Sequence, residues 1–243
     1  MCRDLRLTGV ILCGGLGTRI RAQVSDRPKA LIKINGVPFI YYLLSFLEQA
    51  GLNKVVLCTG YRAMQIKATV GKRYGHMAIE YSEEHSQMGT GGALRNAGNY
   101  IDTNYVLVLN GDSYIEYDLK NYVRWHVGVD TTMSMIVKKV PDISRFGLVR
   151  MKQSGEVEKF VEKDNSVRCK SGYINTGVYL MNQATMERIP ENCKVSLEKD
   201  IFPKLIEDKI FGYKVSGRFL DIGTPESMAL ADDFFSTIGH VMS

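Results

Sequence analysis

Long apolar runs are missing from this 243-residue chain. The strongest, Phe39 to Leu47, is nine residues long and broken by two tyrosines and a serine, far short of the roughly 20 that cross a bilayer. No membrane helix is expected. The amino terminus, MCRDLRLTGVILCGG, reaches glycine after a few apolar residues and has no secretory core or cleavage site, so a cytoplasmic location is expected. Cysteine is scarce: Cys2, Cys13, Cys58, Cys169 and Cys193 form an odd set without a CxxC pair, which points to reduced thiols rather than a disulfide framework or a zinc site. His76, His85, His126 and His240 show no triad or metal spacing and are expected at the surface or in packing. A strong charge of one sign is absent too. Lys and Arg number 31 against 26 Asp and Glu, a dispersed excess that excludes a nucleic-acid surface yet suits an anionic small molecule. At 45% hydrophobic and 23% charged, the composition excludes disorder and collagen-like architecture. With no repeat, low-complexity tract or Pro/Ser-rich linker, residues 1–243 are expected to form one domain.

What is present alternates. Leu7 to Leu12 (LTGVIL) is a short strand rich in β-branched residues that runs directly into a glycine loop. Val37 to Ala50 has the spacing of a buried helix, with Pro38 at its start and Gly51 past its end. Lys54–Thr59 reads as a strand, Met64–Lys72 as a helix, Ala78–Ser82 as a strand and Thr90–Tyr100 as a helix with a glycine-rich start. Tyr105 to Leu109 has the near-continuous apolar pattern of a strand buried on both faces, and it ends in Asn110, Gly111 and Asp112. Such alternation predicts a doubly wound, mostly parallel sheet that collects ligands at the strands' carboxyl ends. After the Asp118–Val127 helix, whose Tyr122 and Trp125 are expected in the core, hairpin-like segments dominate. MSMIVKKV, FGLVRMKQSGEVEKFVEK, YINTGVYLM and FGYKVSGRFLDIG are expected to extend the sheet and form a lid, with a capped helix SLEKDIFPKLIEDK among them and a closing helix over Thr224–Ile238.

The densest chemical signal is GGLGTRIRAQVSDRPK, Gly14 to Lys29. Adjacent glycines after a strand let backbone N–H groups approach phosphates, and Arg19 and Lys29 add positive charge. The spacing excludes a Walker A loop, because no GK[ST] follows. Ile20 stands where a dinucleotide fingerprint needs its third glycine, which argues against an oxidoreductase. Taken singly, Asp112 and Asp221 are also compatible with strand-end turns, Asn175 with a turn before Gly177, and Lys163 with an exposed hairpin face.

As a whole, GGxGTR followed by PK resembles the signature of the sugar-1-phosphate nucleotidyltransferase family. Further segments continue the resemblance in order along nearly the whole chain: QMGTGGA (Gln87 to Ala93), NGD (Asn110 to Asp112), EK (Glu162, Lys163), NTGVY (Asn175 to Tyr179) and FLDIGTPES (Phe219 to Ser227). The resemblance implies an α/β fold with a Rossmann-like, mostly parallel mixed sheet flanked by helices, the GT-A-like nucleotide-diphospho-sugar transferase fold. Its nucleotide-binding half would span about 1–115 and a β-rich sugar-binding half about 116–243. Catalytic roles carry over to Arg19, Lys29, Asp112, Lys163 and Asp221. Nucleotide binding carries over to Leu12, Gly14, Gly15, Gly17, Thr18, Glu84, Gly89, Thr90 and Gly91, and sugar-phosphate binding to Gly111, Glu162, Lys163, Asn175, Thr176 and Gly177. Asp112 and Asp221 would share one Mg2+, a hard cation that prefers oxygen ligands.

The reaction so implied is attack by the phosphate oxygen of a sugar 1-phosphate on the α-phosphorus of a nucleoside triphosphate, releasing pyrophosphate. An anionic nucleophile needs no general base. Glu84 stands where the family meets the base, and a carboxylate accepts the N1–H and N2–H₂ donors of guanine, which favours GTP. Without a hexapeptide-repeat domain the bifunctional acetyltransferase branch is not expected. The layout is most similar to the heptose 1-phosphate guanylyltransferase branch, with the mannose 1-phosphate branch next and uridylyl, thymidylyl or cytidylyl transfer as alternatives. A non-catalytic nucleotide-sugar sensor commonly loses the charged residues that are present here. The two small-molecule substrates are the expected partners, with neither nucleic acid nor membrane, and the resemblance allows a homo-oligomer.

Overall fold

The computed structural model describes residues 6–15, 26–161 and 171–238. Through the first half run β1 (Leu7–Leu12), the small hairpin β2 (Lys33–Ile34) and β3 (Val37–Pro38), α1 (Phe39–Gln49), β4 (Lys54–Thr59), α2 (Ala63–Val70), β5 (Arg73–Tyr74), β6 (Met77–Glu83), α3 (Gly89–Asn96) and β7 (Tyr105–Asn110). There follow β8 (Ser113–Ile115), α4 (Leu119–Gly128), β9 (Met133–Val140), β10 (Leu148–Met151), β11 (Val157–Val161), β12 (Gly172–Asn182), α5 (Gln183–Glu187), α6 (Phe202–Leu205), β13 (Phe211–Val215), β14 (Phe219–Asp221), α7 (Pro225–Ala229) and α8 (Ala231–Phe235). Among the described residues, ten strands form one mixed sheet in the order β11-β10-β12-β7-β1-β4-β6-β5, with β9 beside β12 and β13 beside β9. β1 lies parallel to both β4 and β7, and β4 parallel to β6. The later strands extend this sheet when β12 pairs antiparallel with β7.

Apolar runs in β1, β4 and β7 become central strands because both of their faces are covered. Ile11, Val55, Leu57, Leu107 and Leu109 face one layer with Phe39, Ile40, Leu43, Leu44 and Leu47 of α1. Their neighbours Val10, Val56, Val106 and Val108 pack instead with Leu94, Tyr179 and Phe202. The five α1 side chains are at most 1% exposed, so truncating any one to Ala would cost about 2–5 kcal/mol. No helix of the described residues is long and apolar enough to cross a membrane.

Two expected helices are subdivided. Over SLEKDIFPKLIEDK the chain makes a wide turn, Leu197–Ile201, then α6, then a 3₁₀ turn, Ile206–Asp208. Pro203 has no N–H to give Lys199, and the Phe202 N–H reaches the Leu197 carbonyl five residues back. The closing helix is two short ones, α7 and α8, separated at the exposed Leu230. Tyr122 is fully buried and Trp125 stacks on it, as expected for core. His126 lies in the same layer.

Candidate active site

At the carboxyl ends of β1 and β7, the backbone leaves the sheet beside a cavity of about 450 Å³. Leu12, Gly14, Gly15, Glu84, Gly89 and Thr90 line it, as do Lys29, Asn110, Gly111 and Asp112. Close approach explains the glycine at 14: an added Cβ would stand 2.6 Å from Glu84 Oε1. The Glu84 carboxylate accepts from the Met88 N–H at 3.0 Å. Burial raises its pKa, a shift that this backbone hydrogen bond opposes.

A second cavity of about 170 Å³ adjoins the first and shares Lys29, Asn110 and Asp112 with it. Asn175, Thr176, Gly177 and Asp221 line it, together with Ser113, Phe146, Gly147, Glu198, Phe219 and Gly223. Two short strands bring the remote aspartates to one wall. Asp112 precedes β8, Asp221 ends β14, and the antiparallel register places Asp221 opposite Ser113. The Ile222 N–H also donates to the Asp112 carbonyl at 2.9 Å. Lys29, at the head of a 3₁₀ turn set by Pro28, donates Nζ to Asp112 Oδ2 at 2.7 Å. The Gly223 amide donates to Asp221 Oδ1, and a Cβ added to Gly223 would stand 3.2 Å from Lys29 Nζ. Among the described residues, the Lys29 ammonium and the Asp112 and Asp221 carboxylates thus meet where the cavities join.

Three expected residues and segments take the following places. Gly91 lines neither cavity; its N–H donates to the Val195 carbonyl at 2.9 Å, and an added Cβ would stand 2.6 Å from Val195 Cγ1. The requirement for glycine there comes from packing. Gly111, expected beside the sugar phosphate, lies in the larger cavity, its N–H bonded to the Leu12 carbonyl. The β10–β11 hairpin extends the sheet, as expected, and Phe146 and Gly147, at the start of the same segment, wall the second cavity. Thr176 is buried, bonded through Oγ1 to the Ile136 carbonyl, yet still borders that cavity. Gly17, Thr18, Arg19, Glu162 and Lys163 lie outside the described residues.

Sequence reasoning missed Gln87, Lys194 and Glu198 as lining residues. Lys194 and Glu198 reach the cavities because residues 193–198 are docked on α3. The Val195 N–H donates to the Met88 carbonyl at 2.8 Å, and the Leu197 N–H to Thr90 Oγ1 at 2.9 Å. The only local signal was Ser196, whose side chain caps the turn it begins. Asn110, whose Oδ1 is buried without a partner, borders both cavities.

Among the described residues no group of three metal-ligating side chains occurs. Asp112 and Asp221 offer an oxygen-only pair, the donor type suited to a hard divalent cation completed by phosphate and water oxygens. That donor chemistry fits Mg2+.

A family model described as nucleotidyl transferase matches residues 8–237. The D-glycero-alpha-D-manno-heptose 1-phosphate guanylyltransferase of Aneurinibacillus thermoaerophilus is 34% identical over 221 residues, covering 90% of this chain and 94% of the relative. A mannose-1-phosphate guanylyltransferase of Mycobacterium tuberculosis is 32% identical over 225 residues, covering 91% of this chain and 62% of the relative. The crystal structure of HddC from Yersinia pseudotuberculosis complexed with GMP-PN superposes with a TM-score of 0.84 at 33% identity, covering 94% of this chain and 99% of that one.

Proposed function

We propose that this chain, which belongs to the nucleotidyl transferase family, transfers a guanylyl group from GTP to a sugar 1-phosphate, with release of pyrophosphate. D-glycero-D-manno-heptose 1-phosphate is the first candidate acceptor, by similarity to a heptose 1-phosphate guanylyltransferase. Mannose 1-phosphate is the second, by the parallel similarity to a mannose enzyme. The observation that carries this reading is the junction of two cavities at Lys29, Asn110 and Asp112. A two-substrate transfer needs such a place, where the α-phosphorus of one ligand meets the phosphate of the other.

In this reading the larger cavity takes the nucleotide. Gly14 and Gly15 lie against its phosphates, and Glu84 accepts from the guanine edge. Gly89 and Thr90 border the base and ribose. Lys29 stands at the junction to neutralise charge on the phosphates as they approach, and Arg19 and Lys163 would add to that charge. Asn175, Thr176 and Gly177 hold the sugar, and by the family resemblance Glu162 would contribute to binding it. Asp112 and Asp221 would hold Mg2+, which screens repulsion between the phosphates when bound. Because the attacking phosphate is already anionic, no residue has to remove a proton.

A sheet continuous through both cavities supports treating 1–243 as one domain. Nucleotide triphosphate as substrate, and the free thiols Cys13, Cys58 and Cys193 among the described residues, favour the cytoplasm. The test is a pyrophosphate-release screen of four nucleoside triphosphates against a panel of sugar 1-phosphates. GTP with heptose 1-phosphate should give the highest kcat/KM, and Glu84→Gln should narrow the preference for GTP. No release from any pair would sink the reading, and an equal preference in enzyme and variant would remove Glu84 from base recognition.

A further inference from the structure

The carboxylate of Glu198 lines the acceptor cavity and is hydrogen-bonded to a residue of the other cavity. Its Oε2 accepts from Thr90 Oγ1 and from Ser196 Oγ, each at 2.8 Å, and Thr90 borders the nucleotide cavity. Its Oε1 accepts a longer bond, 3.3 Å, from the Tyr179 hydroxyl, which in turn accepts from Asn175 Nδ2 at 2.7 Å. A carboxylate oxygen has two acceptor lone pairs. Those of Oε2 are both engaged, and Oε1 keeps one. Glu198 itself lines the acceptor cavity.

No lysine or arginine of the described residues forms an ion pair with Glu198, whereas Asp112 has Lys29. A negative group unpaired among the described residues, in a cavity that must admit an anion, repels a phosphate and welcomes hydroxyl donors. Lys29 and Glu198 therefore give the cavity a polarity. The phosphate belongs with the lysine and the neutral, hydroxyl-bearing part of the sugar with the glutamate. The bulge in β12 between Asn175 and Tyr179 and the wide turn at Leu197–Ile201 are the backbone irregularities that bring these side chains together.

We propose that Glu198 selects the acceptor by accepting the hydrogen of a sugar hydroxyl remote from the phosphate. A sugar with that hydroxyl free would be preferred over one in which it is removed. This rests on the sugar 1-phosphate reading above.

The experiment measures kcat/KM for pyrophosphate release with the preferred acceptor and with its monodeoxy analogues, each lacking one hydroxyl. The wild-type enzyme should penalise one analogue about tenfold or more, because losing a hydroxyl leaves a charged acceptor unmatched. Glu198→Ala should lower kcat/KM for the parent acceptor by a similar factor and treat that analogue within about twofold of the parent, since the partner is gone. Glu198→Asp, which keeps the charge but draws it back by one methylene, should erase the same position-specific penalty and serves if the alanine variant does not fold. A purely structural role would lower rates without changing the pattern across analogues. An unchanged penalty pattern in either folded variant overturns the proposal, as does a wild-type enzyme indifferent to every deoxy analogue. No pyrophosphate release by wild-type enzyme from any acceptor overturns the underlying reading and this inference with it, a result distinct from the other two.

Discussion

The nucleotide cavity takes its walls from the carboxyl ends of β1 and β7, neighbouring strands of the parallel core, and from the loop after β6 that carries Glu84. The acceptor cavity is assembled from pieces that no single motif spans: the β8–β14 pair, Phe146 and Gly147, the β12 bulge, and Glu198 on its wide turn. A parallel sheet supplies the first kind of site almost automatically, because ligands gather where its strands end. The second kind depends on non-local pairing, so its residues tolerate change only when the pairing survives. Substitutions at the junction should damage both cavities; those further out should separate them.

Asp112→Ala should have the largest effect, since it removes a carboxylate shared by both cavities and leaves Lys29 without its partner. A fall of about a thousandfold in kcat is expected, the upper end of what removal of one preorganised electrostatic group costs. Asp221→Ala, on the acceptor side of the junction, should fall comparably. If Asp221→Ala kept its rate within tenfold, the two cavities would not share one electrostatic centre.

Gly89→Ala ranks next. Gly89 has φ +71° and an added Cβ would stand 2.5 Å from the Val195 carbonyl oxygen, so strain and collision together should cost about 3 kcal/mol of stability. Gly15 is its control, because a Cβ there meets nothing within 4 Å. Gly15→Ala should leave the melting temperature unchanged, and any loss of GTP affinity in it reports on the ligand alone. Thermal unfolding and nucleotide titration of the two variants separate a glycine needed by packing from one needed by substrate.

That distinction marks what was legible beforehand. β1, β4 and β7 follow from their apolar runs, and the convergence of Asp112 with Asp221 was implied by the family resemblance alone. The packing role of Gly91 and the placement of Lys194 and Glu198 are not legible in the sequence, for one physical reason. All three depend on the backbone bonds between residues 88–92 and Val195, a contact with no periodicity in the sequence. The subdivision around Pro203, by contrast, follows from the missing proline N–H.

A pH scan addresses the layer beneath the acceptor side. His126 is buried against Ser134, its Nδ1 2.7 Å from that hydroxyl, and burial lowers its pKa to about 4. In the unfolded chain the imidazole titrates near its ordinary value of 6.5. Between these two values the unfolded state binds the extra proton, so stability falls as the pH is lowered through that window, by about 2 kcal/mol at pH 5 relative to pH 7. Denaturant unfolding at both pH values should show the loss in the native chain and not in His126→Asn. Equal losses in both would assign the acid sensitivity to other groups.

The smallest effect tests whether the cavities are braced from behind. The hairpin turn between β2 and β3 places Asn35 and Gly36 at positive φ, 49° and 81°, the pairing that a two-residue turn of this hand requires. That turn lies just past Lys29 in the chain, and α8, which follows the Asp221 motif, clasps it. The Asn35 N–H donates to Asp232 Oδ1 and its side-chain amide to the Asp232 carbonyl, both at 2.8 Å. Asp232→Ala removes only the first of these bonds, at an exposed position, so it should cost about 0.5–1 kcal/mol of stability. If the brace serves the fold alone, kcat should stay within about twofold. A larger fall in kcat with an unchanged KM for GTP would mean that α8 helps hold Lys29 at the junction, and that the acceptor-side segment reaches across to set the nucleotide side.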